Sequence, residues 1–536
     1  MKRYFFICSY FKKKKMILLI LLMFISSVLA LCPPYIISFI LDNGVIKESK
    51  DTIIFGGVFL ICIYAGSFLA NYFISQTLTK TSSYFIADLK NDLFTQILTL
   101  PMEYFDNQQT GYILERIKEA DTLNVFFSPV FLKFVTSLFS FVGALILILS
   151  IRWELAIVLV VFLPVIYYFT NYSSIQIKRA SRALMESTAQ TSGKVQENLG
   201  GISAVKEMRI EKQRASEMAK QLKNVADKSV WRGKMMNLAS EGILGISNIS
   251  SVILVICSGI LIVDGKMSLG NYWAISQYAI LVFAPIQLLS SISIMVQPGI
   301  SALTRIGELL KLKTEDEVSG TREIGEIESI KFSNVSFAYT EKKVVQNFNM
   351  EIHKSTKVVL LGKNGSGKTT IAKLLLGFYK NYSGSIRIND IELRDISLAD
   401  LRSRIGIVAQ NIFLFSGSLL DNIRYISPEL KEQEVIDALR KAGLDISEFV
   451  DGLYTMINEN GKNLSGGQRQ KIALARMIVK NPDVMIFDEA TSNLDEISSN
   501  LLKKSIRPIF GGKICIIITH DKNMELIADR IINLSE

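Results

Sequence analysis

The stretch GKNGSGKTT, from Gly362 to Thr370, combines residue types at a spacing that could bind phosphate. It matches the pattern G-x-x-x-x-G-K-[ST] between an apolar run that predicts a strand and an amphipathic run that predicts a helix. Glycines let backbone N–H groups close around phosphate oxygens, while Lys368 would reach the β- and γ-phosphates and the Thr369 hydroxyl would bind Mg²⁺. The stretch therefore predicts a nucleoside triphosphate site, formed by Gly362, Lys363, Asn364, Gly365, Ser366, Gly367, Lys368, Thr369 and Thr370.

Two carboxylates follow another apolar run, in VMIFDEATSNLDE. The run predicts a buried strand that delivers Asp488 and Glu489 at its carboxyl end, which is where open α/β sheets bind ligands. Neighbouring residues on a strand face opposite ways, so we expect the two carboxylates to have different roles. Asp488 would hold Mg²⁺ through water, and Glu489 would polarise the attacking water as a general base.

His520 ends a third apolar run, ICIIITH. A lone histidine is more often structural, but its position at a strand end beside the other two motifs favours a contact with the γ-phosphate. His353, in NMEIHKS, is interpreted as a surface residue. These are the only two histidines and the five cysteines have no paired or metal-ligand spacing, so the sequence excludes a histidine-rich metal site.

The elements that must position these residues alternate along the chain. Beyond a charged linker at residues 311–328, β-branched runs alternate with helical ones. The runs that read as buried strands are Lys357–Leu361, Ile405–Val408, Val484–Phe487 and Ile514–Thr519. This alternation predicts an α/β domain with a largely parallel sheet over residues 329–536.

Residues 1–310 have a different character, because they contain six long uncharged apolar runs. These runs are Met16–Leu41, Thr52–Ser75, Phe134–Ile151, Leu155–Ile177, Gly242–Val263 and Met267–Thr304. A helix of about 20 apolar residues crosses a bilayer, so the pattern predicts a six-helix transmembrane domain. A secretory signal peptide is disfavoured, since the first run is too long and no small-residue cleavage site closes it.

Basic residues indicate how this domain is oriented. Lys and Arg are concentrated in the N-terminal arm and in segments 76–133 and 178–241, while the remaining loops are short and carry few. This bias predicts that both termini and both segments are cytoplasmic. It also explains much of the net charge of +10. A nucleic-acid surface is the alternative explanation, but the basic residues form no single stripe.

Segments 76–133 and 178–241 are themselves rich in helix formers. Pro101 and Gly111 interrupt the first, and Gly193 and Gly200–Gly201 interrupt the second. Each segment therefore predicts a helical hairpin that reaches roughly 40 Å into the cytosol. A simple connection would be far shorter, so we expect the hairpins to contact something well below the membrane.

A second phosphate-binding feature lies in LSGGQRQKIALAR, from Leu464 to Arg476. Exposed N–H groups at such a helix start attract phosphate, so one domain carries two such elements. With the glycine loop and FDE, the complete LSGGQ makes residues 329–536 resemble the nucleotide-binding domain of ABC transporters. Residues 1–310 resemble the six-helix exporter domain that is fused to it. PMEYFDNQQTGYILERIKEAD and QENLGGISAVKEMRIEKQ are similar to that family's intracellular loops.

The resemblance implies ATP and Mg²⁺ as cofactors and roles for further residues. Tyr339 in FAYT would stack on adenine, Gln410 of the glutamine loop would contact ATP and Mg²⁺, and Asp495 would be the D-loop aspartate. Glu489 and His520 would be catalytic, and the metal ligands would be Thr369, Gln410 and Asp488. The chain departs from the family pattern at Asn493, where Ala is usual, and at Met456, where Glu is frequent. The chain also ends at NLSE, before the last strand and helices common in the family.

The resemblance also explains why two phosphate-binding elements occur. In the family, the signature residues Ser465, Gly466, Gly467 and Gln468 contact the ATP that the glycine loop of a partner subunit holds. One chain would then be a half-transporter in a homodimer, with a heterodimer left open. Segments near Asn107–Leu114 and Gly200–Lys206 would transmit closure of the nucleotide domains to the membrane.

The function implied is ATP-driven export of an amphipathic peptide, lipid or drug-like molecule across a bacterial cytoplasmic membrane. The centres of the spans carry no charged residue, which disfavours proton antiport. Two alternatives stay open: an exporter of a processed peptide, and an ATP-gated channel or regulator. No protease domain is expected before Met16, so a peptide would be processed elsewhere. The spans disfavour a soluble ATPase acting on nucleic acid, and the fused domains disfavour an importer.

Overall fold

The computed structural model describes residues 13–108, 110–363, 365–489, 511–520 and 528–534. The chain divides into two compact units. The membrane unit runs to Gln96 and resumes over Gly111–Lys311. The nucleotide unit contains Ile97–Thr110 and the chain from Leu312 onward.

The membrane unit is helical throughout. Its main helices are α1 (Lys13–Ile40), α2 (Lys50–Leu98), α4 (Thr110–Lys118), α5 (Pro129–Ile151), α6 (Trp153–Gly200), α7 (Ile202–Glu207), α8 (Glu211–Val263) and α9 (Leu269–Leu309), while the short α3 (Met102–Asp106) lies in the excursion to the nucleotide unit. Within the described residues, six helices are long and apolar enough to cross a membrane. The predicted six-helix architecture is confirmed.

Three of these helices are far longer than a bilayer requires. Helix α2 has 49 residues, α6 has 48 and α8 has 53. At 1.5 Å per residue, each is roughly 75 Å long, against a hydrocarbon core of about 30 Å. The long helical extensions predicted from the sequence are therefore present.

One predicted interruption is wrong: Gly193 lies inside α6, because a single glycine lowers helix propensity without preventing a helix. The others lie at or beside breaks in the helices. Pro101 precedes α3, α4 begins at Thr110 directly before Gly111, and α6 ends at Gly200, which Gly201 follows. Pro101 has a ψ of 150°, outside the helical range, so the helix cannot run through it.

Small polar residues are buried on both α6 and α8, two helices that contact each other. Ser173 and Ser187 on α6 and Ser247 and Ser250 on α8 are buried. The Ser247 hydroxyl donates to the Ile243 carbonyl at 2.8 Å, so its polarity is satisfied within its own helix. Small side chains allow helix backbones to approach closely in an apolar environment.

The nucleotide unit is built on two sheets. Its strands are β1 (Ser329–Ala338), β2 (Lys343–His353), β3 (Lys357–Leu361), β4 (Ser383–Ile388), β5 (Ile391–Glu392), β6 (Ile405–Val408), β7 (Gly417–Ser418), β8 (Met456–Ile457), β9 (Val484–Asp488), β10 (Ile514–Thr519) and β11 (Arg530–Asn533). The order β11–β3–β10–β9–β6 forms a parallel sheet, and β2–β1–β4–β5 forms an antiparallel one. The four predicted strands are present in the parallel sheet.

Helices flank these sheets in the same unit. They are α10 (Glu315–Val318), α11 (Lys368–Leu375), α12 (Leu398–Arg404), α13 (Leu419–Arg424), α14 (Glu432–Lys441) and α15 (Gly466–Lys480). Alternate residues of the parallel strands enter two different cores. Val358 and Leu360 pack into one cluster, whereas Val359 packs into the other with Phe487 and Cys515. Burial on both faces explains why these strands are continuous apolar runs.

The segment Ile97–Thr110 packs within the nucleotide unit. Met102 lies against the core beneath the antiparallel sheet, and the Tyr379 hydroxyl donates a hydrogen bond to Asp106. Asn381 Nδ2 is 3.3 Å from Glu103 Oε1. The contact is made by α3, slightly before the predicted segment Asn107–Leu114.

Candidate ATP site

The phosphate loop joins β3 to α11, and its geometry depends on its glycines. Gly367 has φ +92°, a left-handed conformation that few side chains adopt. A Cβ at Gly362 would lie only 2.5 Å from Ser366 Oγ. The Lys368 ammonium folds over the loop and donates to the carbonyls of Gly362 at 2.7 Å and Lys363 at 3.0 Å. The loop and its buried lysine thus form the concave turn that the sequence predicts.

Parallel pairing brings the other strand ends to the same edge. In the register of the sheet, Thr519 of β10 pairs with Leu361 of β3, and Ile518 pairs with Asp488 of β9. His520, Glu489 and Gly362 follow these paired residues directly. The sheet therefore places three separate motifs beside one another.

Three of the predicted site residues form a cluster at this edge. Gln410 Nε2 donates to Glu489 Oε2 at 2.5 Å, and His520 Nδ1 is 3.5 Å from Glu489 Oε1. The Glu489 side chain is only 13% exposed, whereas that of His520 is 61% exposed. Glu489 has φ +49°, and its N–H donates to the Ile518 carbonyl at 2.8 Å. The backbone bond anchors an unfavourable conformation that turns the carboxylate toward Gln410 and His520.

Asp488 lies in a different environment from its neighbour. It is 2% exposed, and its Oδ1 atom makes no hydrogen bond within the described residues. Burial raises the pKa of Asp488, as does the charge of Glu489, while the Thr369 hydroxyl and Lys368 act in the opposite direction. An orphaned buried carboxylate oxygen next to a hydroxyl fits a site for a divalent cation, which would supply the missing partner.

Aromatic rings surround the predicted adenine-stacking residue. Tyr339 follows β1 directly, and its ring packs edge-on against Phe337 and Tyr379 at centroid distances of 4.9 and 5.3 Å. Its hydroxyl is 3.3 Å from Thr370 Oγ1, which fixes it to the start of α11. The ring is 38% exposed, so it retains surface available for stacking.

The signature residues form the start of α15. Ser465 caps this helix: its hydroxyl accepts from the Gln468 N–H at 3.1 Å, and its own N–H donates to Gln468 Oε1 at 3.0 Å. Gly466 and Gly467 are partly exposed in the first turn. Within the described chain, one cavity of about 400 Å³ is lined by Gly466 of α15 together with Gln410 and Glu489.

Two supporting residues were missed from the sequence. Arg476 of α15 donates to the Phe413 carbonyl at 2.9 Å and to the Asn422 side chain at 2.7 Å. Asn422 is fully buried and donates in turn to the Phe415 carbonyl at 2.9 Å. They fix the loop after Gln410 to the signature helix. In the sequence, a basic residue late in an amphipathic helix does not indicate that it bonds to a distant loop.

Some predicted residues cannot be placed. Asn364 of the loop, Asp495 of the D-loop and the departure at Asn493 lie outside the described residues. Met456 lies in the short strand β8 and is 63% exposed. Methionine stands here where the family often has glutamate, so a large apolar side chain lies on the surface.

Comparison with known proteins matches both parts of the chain to one class. The model for the ABC transporter transmembrane region matches residues 16–286, and the ABC transporter model matches residues 345–492. The chain belongs to the ABC transporter family. It is a multi-pass membrane protein of the exporter type, in which six apolar helices are fused to an ATP-binding domain.

Several bacterial relatives match over most of their length. YwjA of Bacillus subtilis, an uncharacterized ABC transporter ATP-binding protein, is 28% identical over 94% of this chain and 89% of its own. The lipid A-core flippase of Francisella novicida is 28% identical over 91% and 84%. The alpha-hemolysin translocation protein HlyB of Escherichia coli O157:H7 is 31% identical over 94% and 72%.

The fold comparison agrees. A solved bacterial Atm1-family ABC exporter with ATP bound superposes with a TM-score of 0.83 at 20% identity, covering 98% of this chain and 93% of that one. The protein is thus an ATP-hydrolysing transporter with the exporter fold. The half-transporter architecture suggests dimerisation.

Proposed function

We propose that this protein uses ATP to export an amphipathic molecule across the cytoplasmic membrane, as a dimer that alternates between inward-open and outward-open states. Two relatives support an amphipathic cargo, because one is named for lipid A-core and the other for alpha-hemolysin. Lys and Arg are concentrated in the N-terminal arm and in segments 76–133 and 178–241, and this bias supports cytoplasmic termini.

The convergence of Gln410, Glu489 and His520 beside the phosphate loop carries this proposal. We assign Glu489 as the general base that takes a proton from the attacking water. His520 donates to the γ-phosphate, and Lys368 leaves its loop carbonyls to bind the β- and γ-phosphates. Once the water is positioned and the charge on the phosphates is stabilised, the water attacks the γ-phosphate in line.

A magnesium ion fits the residues around Asp488. Its orphaned Oδ1, the Thr369 hydroxyl and the Gln410 amide oxygen would hold the ion. When bound, Mg²⁺ neutralises charge on the β- and γ-phosphates. The chain itself orients the cation's ligands, since Asp488 is fixed by burial at the end of β9.

We further propose that the signature acts in trans. Ser465, Gly466, Gly467 and Gln468 of one chain would close on the ATP that Tyr339 and the phosphate loop of another chain hold. The proposal rests on the resemblance to the family and on the half-transporter architecture, in which one chain carries one phosphate loop and one signature. A homodimer is the simplest assembly. Co-purification of a different half-transporter would show a heterodimer instead.

The test of the function uses Glu489→Gln in sealed inside-out vesicles. Loss of a general base should lower ATPase activity by about 10²- to 10⁴-fold while ATP binding persists. Glu429→Gln, which changes an exposed carboxylate away from the site, is the matched control. Cargo that accumulates against its gradient in the control but not in Glu489→Gln supports export. Passive, ATP-gated leak would identify a channel instead.

A processed peptide is the second candidate cargo. It is favoured by the 31% identity to the alpha-hemolysin translocation protein. Stimulation of ATPase activity by a mature amphipathic peptide, but not by its precursor, would select it over lipid.

A further inference from the structure

The linker between the two parts of the chain is bound to the nucleotide unit, to which it belongs from Leu312 onward. The Arg322 N–H donates to the Asp395 carbonyl at 3.0 Å, and the Ser397 N–H donates to the Arg322 carbonyl at 2.8 Å. A Cβ at Gly320 would lie only 2.0 Å from the carbonyl carbon of Asp395, so glycine is needed for this close approach. These bonds fix the linker beside the start of α12.

An ion pair fixes the linker at the other end of α12. Arg402 Nη1 donates to Glu315 Oε2 at 2.6 Å, and Arg402 Nη2 donates to Glu315 Oε1 at 2.7 Å. The Glu315 side chain is 23% exposed and that of Arg402 is 29% exposed. A guanidinium that donates twice to one carboxylate forms a strong and directional contact, and partial burial protects it from screening by salt.

The same guanidinium also contacts the end of the phosphate-loop helix. Arg402 Nε donates to the Leu376 carbonyl at 3.1 Å, and Leu376 directly follows α11, the helix that begins at the phosphate loop. The guanidinium carbon lies 5.0 Å from the centre of the Phe378 ring, where a cation is attracted to the π electrons. Arg402 therefore joins the linker to the end of α11.

A short path leads from Arg402 to the reaction site. Strand β6 begins at Ile405, directly after α12, and Gln410 lies two residues beyond the end of the strand. Val408 of β6 pairs with Phe487 of β9, so the strand is held in the parallel sheet. Because four residues of extended strand transmit a displacement along their length, the position of α12 bears on the position of Gln410.

Glu315 binds a third part of the nucleotide unit through its backbone. Its N–H donates to the Thr99 carbonyl at 2.6 Å, and Thr99 directly follows α2. Its carboxylate binds Arg402 of α12. One residue of the linker thus holds the chain that leaves α2 and the helix that leads to Gln410.

We propose that Glu315 and Arg402 are positioning residues for ATP hydrolysis, because their ion pair fixes α12 and, through β6, Gln410. The inference rests on the proposed function for the role of Gln410 at the reaction site. A misplacement of about 1 Å at reacting groups lowers a rate by about 100-fold, so a partial loss of position should lower kcat. ATP binding by the phosphate loop and Tyr339 should persist.

The test is Glu315→Gln in the full chain in nanodiscs, which removes the charge and keeps the N–H that binds Thr99. ATPase rates are divided by the amount of bound fluorescent ATP analogue, so that misfolded protein does not lower the result. We expect kcat to fall about tenfold, as for loss of a hydrogen bond to a charged group, with KM for ATP within about twofold. An unchanged kcat would overturn the proposal.

Matched controls show whether the effect belongs to the ion pair. Asp316→Asn changes an exposed carboxylate in the same turn of α10, and Arg440→Gln changes an arginine that is 75% exposed. Both should keep kcat, whereas Arg402→Gln should lower it at least as much as Glu315→Gln. A chain with both Glu315→Gln and Arg402→Gln should be no slower than Arg402→Gln alone. Losses that multiply would show that the two residues act separately and contradict the proposal.

Two glycines of the linker provide a second pair of variants. Gly320→Ala places a methyl group against the backbone of Asp395, while a Cβ at Gly325 would meet no atom within 4 Å. Gly320→Ala should displace the linker from α12 and lower the normalised kcat, and Gly325→Ala should not. Equal rates in the two variants would show that this attachment of the linker does not position the site.

The route through Gln410 is tested by combining changes. In a chain that already carries Gln410→Ala, Glu315→Gln should lower kcat no further, because the group that it positions is gone. A further tenfold loss in that chain would overturn the route. If Gln410→Ala alone keeps full kcat, the role of Gln410 in the proposed function fails. If Gln410→Ala lowers kcat and Glu315→Gln does not, that role stands and only the positioning by the ion pair fails.

Discussion

At the scale of single residues, two adjacent carboxylates at the end of β9 lie in different environments. Asp488 and Glu489 are adjacent, yet one is buried with an orphaned oxygen and the other faces Gln410 and His520. Asp488 is the last residue of β9, and the positive φ of Glu489 gives the next carboxylate a different environment. A left-handed non-glycine residue costs about 1–3 kcal/mol and often marks a functional site, which agrees with the role proposed for Glu489.

The adenine contact can be tested at Tyr339. Tyr339→Ala should weaken ATP binding by about tenfold or more, because stacking of a base on an aromatic ring contributes about 1–3 kcal/mol. Tyr339→Phe keeps the ring and loses only the 3.3 Å contact with Thr370, so it should bind nearly as well as the unchanged protein. Titration with a fluorescent ATP analogue measures both. Equal losses in the two variants would contradict stacking.

Cys515 provides a test of packing in β10. The thiol is 2% exposed, and burial raises its pKa to about 12, so the reactive thiolate is absent near neutral pH. In a variant whose other four cysteines are Ser, Cys515 should resist iodoacetamide at pH 8 and react after denaturation. Mass spectrometry of the tryptic peptide reads the result. Rapid alkylation of the native protein would show that the sheet is less tightly packed than described.

At the scale of elements, one tyrosine links three parts of the nucleotide unit. Tyr379 is 1% exposed, its hydroxyl donates to Asp106 of α3, and its ring contacts Tyr339. Burial raises the pKa of Tyr379, and the hydrogen bond to Asp106 raises it further, so the phenol stays protonated and remains a donor. Because Tyr379 contacts both Tyr339, the proposed adenine-stacking residue, and Asp106 of α3, we expect it to couple nucleotide binding to the segment Ile97–Thr110.

Removal of the Tyr379 hydroxyl should therefore affect coupling more than catalysis. Tyr379→Phe and Asp106→Asn should keep basal ATPase activity within about twofold and lose most of its stimulation by cargo, since a hydrogen bond to a charged group contributes about 1.5–3 kcal/mol. Stimulated and basal rates are measured in nanodiscs.

The control for this change is Tyr382→Phe. Tyr382 is also buried and donates to Glu392 at 3.0 Å, but within the described chain it makes no hydrogen bond or ring contact with α3. It should retain full stimulation. If Tyr382→Phe and Tyr379→Phe lose stimulation equally, the effect belongs to general packing of the unit and the coupling role fails.

At the scale of the whole molecule, we propose that each ATP lies between two chains. A chain with Lys368→Ala has a defective phosphate loop, and a chain with Ser465→Arg has a defective signature. Each variant alone should be inactive. Co-expressed with different affinity tags, the mixed dimer pairs the intact loop of one chain with the intact signature of the other. ATPase activity should then reappear.

This mixing experiment distinguishes shared from internal sites. If loop and signature of one chain acted together, neither chain in the mixed dimer would hold an intact site, and activity would stay absent. A chain that carries both changes, mixed with inactive Lys368→Ala, is the negative control, because no intact pair can form. Tandem purification before the assay ensures that only mixed dimers are measured.

Much of the architecture could be predicted from local pattern alone. The strands β3, β6, β9 and β10 are continuous apolar runs because both faces are buried, and four runs matched the structure within one residue. The six spans could be predicted equally well, since a helix that crosses a bilayer must be long and uncharged. Gly193 misled the prediction because neighbouring helix formers outweighed a single glycine.

The amino-acid sequence by itself determined the family, the phosphate loop and the catalytic candidates, because these depend on residue types at fixed short spacing. Only the tertiary structure decided which distant residues meet. The bonds from Arg476 to Asn422 and from Tyr379 to Asp106 join positions 54 and 273 residues apart. The ion pair of Glu315 and Arg402 likewise joins positions 87 residues apart. Such contacts arise from how helices and strands pack, and no local pattern encodes the partner.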